Sequence, residues 1–150
     1  MLSTGHKGSN VREVPPQLFI DTLAKHFETT RLFSIPEWTD LIKTGSLKQM
    51  PPNFTNWYYT RTASIVRQVY LHPGTSVESL RNYYGKNVDS GFTPNHHGKA
   101  SGKVIRSCLQ DLEKIGWIKQ SEDKIGRMIT DKGQKQLDIL AQEVAKSIKQ

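Results

Sequence analysis

With 150 residues, 35% of them hydrophobic, the chain can build one domain around a core that needs no metal or disulfide. A single cysteine, Cys108, excludes an internal disulfide and a paired-cysteine zinc site, and neither a membrane-length apolar run nor a signal-peptide segment is present, so a soluble intracellular protein is expected. The net charge of +7 calls for an anionic partner, and it is local: residues 51–110 hold seven Lys/Arg against two Asp/Glu, whereas 1–50 hold six against five and 111–150 eight against seven.

Residues 1–14 are polar and aperiodic and read as a mobile tail, followed by one domain over 15–150. Helical spacing of Ile20, Leu23, Ala24 and Phe27 predicts a first helix from Gln17 to about Thr29, entered through Pro15 and Pro16. Ser34-Ile35-Pro36-Glu37 has the form of a capping box and predicts a short second helix carrying Trp38, Leu41 and Ile42 on one face, ended by Gly45. Residues 50–53 are a loop.

Asn56 to Leu71, NWYYTRTASIVRQVYL, predicts the central helix. At about 100° per residue, Tyr58, Tyr59, Ala63, Ile65, Val66, Val69 and Tyr70 form an apolar arc of roughly 160°, wide enough for several neighbours. The remaining strip holds Thr60, Arg61, Ser64, Arg67 and Gln68, donors without an acid among them, which suits phosphate. Arg61 and Arg67 are therefore the first candidate site residues. Tyr58 and Tyr59 belong to the core, whereas Trp57, at the helix start on the polar side, is a candidate for stacking on bases.

His72-Pro73-Gly74 stops that helix, and Thr75-Ser76-Val77-Glu78 caps a short helix that runs to Gly85. Residues 85–102, with four glycines and one proline, have no period and predict a long loop, disordered when free and ordered on RNA. Val104, Ile105, Cys108, Leu109, Leu112 and Ile115 then mark the clearest amphipathic helix, basic toward its start and stopped by Gly116. Two short β-prone runs, 117–120 and 125–129, flank a polar turn and predict a hairpin. A last helix, capped by Thr130, carries Leu137, Leu140, Ala141, Val144, Ala145 and Ile148 on one face.

The fold class is thus mainly α: a helical bundle around a central amphipathic helix, winged-helix-like, with one small β-hairpin. An 18-residue loop before the third helix of such a unit does not suit simple readout of duplex DNA, although a winged-helix DNA-binding regulator is the alternative function. No enzyme chemistry is expected, because the carboxylates form no close apolar pair, Cys108 lies among apolar neighbours and no phosphate-cradling glycine motif exists. Adjacent His96 and His97 with a buried Cys108 do not make a metal site. No cofactor and no small-molecule substrate are expected.

IPEW at 35–38, NWYYTR with Arg67 and Tyr70-Leu71 after it, the Tyr84-Gly85 turn, Pro94-x-His96, and LQDLEKIG through TDKGQ together resemble the e-type small-subunit ribosomal protein nineteen family of eukaryotes and archaea, over about residues 10–148. The resemblance implies an all-helical protein with a small hairpin, monomeric within the ribosome. It would sit in the small-subunit head, bound to ribosomal RNA beside neighbouring small-subunit proteins. It also implies a role in small-subunit RNA maturation, and a location in cytoplasmic ribosomes, with passage through the nucleus and nucleolus during assembly if the source is eukaryotic. By the same resemblance Arg61 and Arg67 face RNA, and Lys86, His96, Lys99, Lys103 and Arg106 extend the contact through the basic loop and the helix after it. His97, Gly98 and Gly102 stand where the family commonly has aromatic, polar or basic residues, and Ser107 where a second arginine is usual, so Ser107 is not counted among the contacts.

Overall fold

The computed structural model describes residues 10–150; the first nine residues of the expected tail lie outside the described residues. The described residues form five α-helices: α1 Pro16–Thr30, α2 Trp57–Leu71, α3 Val77–Tyr83, α4 Gly102–Lys114 and α5 Asp131–Lys149. Strands β1 Lys86–Val88 and β2 His96–Gly98 form one antiparallel hairpin, and β3 Ile118–Gln120 and β4 Arg127–Ile129 form another.

Packing against the domain already includes residues before Pro15: Val11 and Val14 are buried in the core, and Arg12 donates to the Leu71 carbonyl at the end of α2. Two apolar residues three apart sufficed to dock a segment that composition marks as tail. The second expected helix is reduced to a 3-10 turn, Glu37–Asp40. Thr39 Oγ1 donates to the Pro36 carbonyl at 2.8 Å, competing with continued helical bonding, and Leu41, at 85% exposure, has no apolar surface to cover. Isolated helices this short are marginal without such burial.

α2 is enclosed on nearly every side. Its buried residues run from Trp57, Tyr58 and Tyr59 through Thr62, Ala63, Ile65 and Val66 to Gln68 and Val69, so Gln68, expected on the exposed strip, is inside. α1 packs along one flank through Phe19, Leu23 and Phe27, and α4 along another through Val104, Ile105, Cys108, Leu109 and Leu112. Tyr58 donates to Asp111 at 2.6 Å and Tyr70 to Asp138 at 2.8 Å, which gives both phenols partners from α4 and α5. Thr130 caps α5 as expected, accepting from the Gly133 N–H, but Ile148 stands half-exposed at the far end of the helix.

From α2 onward the order α2, α3, α4, β3, β4 is compatible with a winged helix, and Thr75, just before α3, bridges to Arg127 on β4. α4 ends at Gly116, whose φ of 83° is the left-handed turn that lets Trp117 re-enter the core. The predicted long loop is where structure and expectation differ most. Residues 86–98 pair as a hairpin in which Lys86 faces Gly98, Asn87 faces His97 and Val88 faces His96. It is clamped at its base by the Ala100 N–H to the Arg81 carbonyl at 3.0 Å and the Ser101 N–H to the Thr44 carbonyl at 2.9 Å.

Candidate nucleic-acid interface

Arg67 follows Arg61 by six positions of helix, which puts them about 120° apart around the axis. They therefore flank α2 rather than forming one point of charge. Toward α3, the Arg61 guanidinium lies 4.2 Å from the centroid of the Tyr84 ring, and the Tyr84 hydroxyl is hydrogen-bonded to Ser64 Oγ at 2.6 Å. Burial pushes the Tyr84 phenol up to about 12, so it stays a neutral platform for the cation at any physiological pH. A cavity of about 320 Å³ opens beside this pair, lined among others by Phe54, Trp57, Thr60, Arg61, Ser64 and Tyr84.

On the other flank Arg67 is half-buried, and its Nε is buried without a hydrogen-bond partner among the described residues. Neither arginine is ion-paired with a carboxylate there. A buried donor left without an acceptor costs free energy, so Arg67 Nε is a cost that the fold carries. Trp57 is different from what was expected. It is only 6% exposed, packs edge-on against Tyr58 at 6.1 Å and lines the cavity wall, so it belongs to the core and presents no solvent-open face for stacking.

The second group surrounds the start of α4. Glu78 on α3 pairs with both Lys99 and Arg81, the latter at 3.3 Å, and the Lys99 ammonium holds its carboxyl below the usual range. Lys99, expected as a free contact, is thus already paired. Arg81 also donates through Nε to the Ala100 carbonyl at 2.9 Å. At Gly102 a Cβ would sit 2.8 Å from Arg106 Nη1 and 3.3 Å from Arg81 Cδ, so the missing side chain lets two arginines lie over the first turn of the helix.

Lys103 places its ammonium 5.2 Å from the Trp38 ring centroid, and Lys86, Lys103 and Arg106 are exposed with no acidic partner among the described residues. On the hairpin Lys86 and His96 share one face, since they alternate with Asn87 and His97 on the paired strands. His97 turns the other way, its Nε2 donating to the Asn82 carbonyl at 3.1 Å. Arg81 is the basic residue that sequence reasoning passed over: at three residues from Glu78 it reads as an ordinary helix ion pair.

Cys108 is buried and inert, its thiol pushed up to about 12 by burial. No helix among the described residues is long and apolar enough to cross a membrane.

Known proteins share this sequence pattern. The pattern of the family described as Ribosomal protein S19e matches residues 10–147. The small ribosomal subunit protein eS19 of Emericella nidulans is 42% identical over 134 residues, covering 89% of this chain and 90% of that protein. Its counterpart in Oryza sativa subsp. japonica is 39% identical over 134 residues, with 89% and 91% covered. That of Entamoeba histolytica is 39% identical over 141 residues, with 94% and 90% covered.

Proposed function

The chain belongs to the ribosomal protein S19e family, and on that premise we propose that it is a structural constituent of the small ribosomal subunit, with no enzymatic activity, held there by ribosomal RNA and neighbouring subunit proteins. The observation that carries the reading is the family match across residues 10–147. RNA binding is supported by where the cations and one imidazole, that of His96, lie. Arg61 and Arg67 on α2, Lys86 and His96 on the first hairpin, and Lys103 and Arg106 on α4 are drawn from three elements, and Lys99 joins them once Glu78 releases it.

Contacts spread in this way suit an irregular RNA surface better than a duplex groove. The β1–β2 hairpin between α3 and α4 also interposes a long excursion where a compact helix-turn-helix has a short turn, which argues against a DNA regulator. We further propose a requirement for small-subunit RNA maturation, with the protein joining the subunit head before the particle works in the cytoplasm; in a eukaryotic source that entry is nucleolar.

Sedimentation at moderate salt tests the reading: the chain should travel with small subunits, and its depletion should leave unprocessed small-subunit precursor RNA. Recovery only at the top of the gradient would refute it.

A further inference from the structure

We propose that Phe92, at the tip of the β1–β2 hairpin, is a stacking residue that takes one unpaired nucleobase of the small-subunit RNA. The inference rests on the RNA-binding reading above and adds to it an aromatic contact outside the two cation groups.

Phe92 is fully exposed. Its ring covers no core surface, so the fold gains nothing from an aromatic residue at this position. The turn that presents it is shaped from within by polar contacts. Asp89 Oδ1 accepts the Gly91 N–H at 2.9 Å, the Phe92 N–H donates to the Ser90 carbonyl at 3.2 Å, and the hydroxyls of Ser90 and Thr93 are hydrogen-bonded to each other. Gly91 supplies the φ of 87° that the turn requires. These bonds satisfy the backbone without the ring, which is left at the outermost point of the hairpin.

The charges around it select the occupant. Lys86 and His96 line one face of the hairpin, Lys86 carrying its one positive charge, and Asp89, the only hairpin carboxylate, has Oδ1 held by the Gly91 N–H. The nearest acid at the hairpin base, Glu78, is taken by Lys99 and Arg81. An apolar tip on a stem that carries Lys86 matches a base whose backbone phosphate lies against that lysine, with the base face on the ring. Phenylalanine has no hydroxyl or N–H to read base edges, so the contact selects an accessible π-face rather than a base identity. A base already paired in a duplex has both faces covered, and the target is accordingly an unpaired one.

Small subunits purified from cells carrying wild-type, Phe92→Ala or Phe92→Trp chain supply the test, with two readouts. Irradiation at short ultraviolet wavelength followed by mass spectrometry should find a nucleotide adduct on residue 92 in the wild-type and Phe92→Trp chains. Chemical probing of base reactivity should show one site rising about 5-fold or more in Phe92→Ala, the factor expected when one stack is lost, and returning in Phe92→Trp. Subunits that retain Phe92→Ala with unchanged base reactivity, or an adduct to a protein, would overturn the stacking role and leave the ribosomal reading intact. Absence of the wild-type chain from the subunits would overturn both.

Discussion

The Arg61 guanidinium rests 4.2 Å over the Tyr84 ring, so the cation that α2 turns toward α3 is held by an aromatic face and keeps its charge free for a ligand. A carboxylate partner would have neutralised it. A cation over a half-buried ring is worth about 1–2 kcal/mol, which fixes the side chain without committing it.

Arg61→Glu should therefore melt only a few degrees below wild type, at about 2–4 °C per kcal/mol for a chain of this size, while failing to enter the small subunit. Arg61→Lys keeps the charge and should enter at reduced salt tolerance. Thermal melting followed by circular dichroism, alongside gradient sedimentation, checks both. A loss of stability large enough to unfold the Glu variant would assign Arg61 to the fold instead.

Val66 is fully buried on α2, as is Leu109 on α4, the helix packed along it. Val66→Asp would place an unpaired carboxylate in this contact, at a cost comparable with the whole stability of a small domain. The variant should be recovered as aggregate. Soluble expression with a wild-type melting curve would mean that the buried face of α2 has been misassigned.

Stability should fall at alkaline pH through groups that the fold keeps protonated. Burial pushes the phenols of Tyr70 and Tyr84 and the Cys108 thiol up to about 12, and drives Tyr58 higher still, whereas the unfolded chain titrates near about 10 for tyrosine and about 8.5 for cysteine. Between those values the unfolded state has released protons that the native state still binds, so unfolding becomes easier as pH rises. The contribution is fully present below about pH 8.5 and is lost toward pH 12. Urea midpoints measured from pH 8 to pH 12 should decline across this window, with the part of the phenolate absorbance due to Tyr58, Tyr70 and Tyr84 appearing only as the protein unfolds.

Periodicity locates α1, α2, α4 and α5, because each buries a stripe whose spacing the sequence displays. The capping residues mark α3, and two β-prone runs about a polar turn mark the β3–β4 hairpin. What these signals missed is set by contacts between distant segments. The β1–β2 strands are three residues each and mostly polar, so no alternation marks them; the clamps to Arg81 and Thr44 that define their base come from elsewhere in the chain. Gly133, inside the first turn of α5, reads as a weak helical residue, yet a Cβ there would lie 2.4 Å from the Trp117 carbonyl, so α5 can dock only through glycine. For the site, residue type identified Arg61, Arg67, Lys86, Lys103 and Arg106 as cations, but burial of Trp57 and the pairing of Lys99 with Glu78 depend on packing that charge and spacing do not encode.

That pairing separates two lysines that the sequence treats alike. Lys86 is exposed and unpaired among the described residues, while Lys99 shares Glu78 with Arg81. A lysine that neutralises a phosphate releases a counterion and steepens the fall of affinity with salt by about 0.7–0.9 in log–log slope, whereas one that must first leave a carboxylate contributes less. Binding of the chain to purified small-subunit ribosomal RNA over a series of KCl concentrations should show Lys86→Ala flattening the slope by that full amount and Lys99→Ala by distinctly less. Glu78→Gln removes the competing carboxylate and should steepen the slope, because Lys99 and Arg81 both become available to phosphate. Equal effects of the two alanine variants, with no change in Glu78→Gln, would mean that the Glu78 pairings dissolve on their own in solution and do not tune the interface.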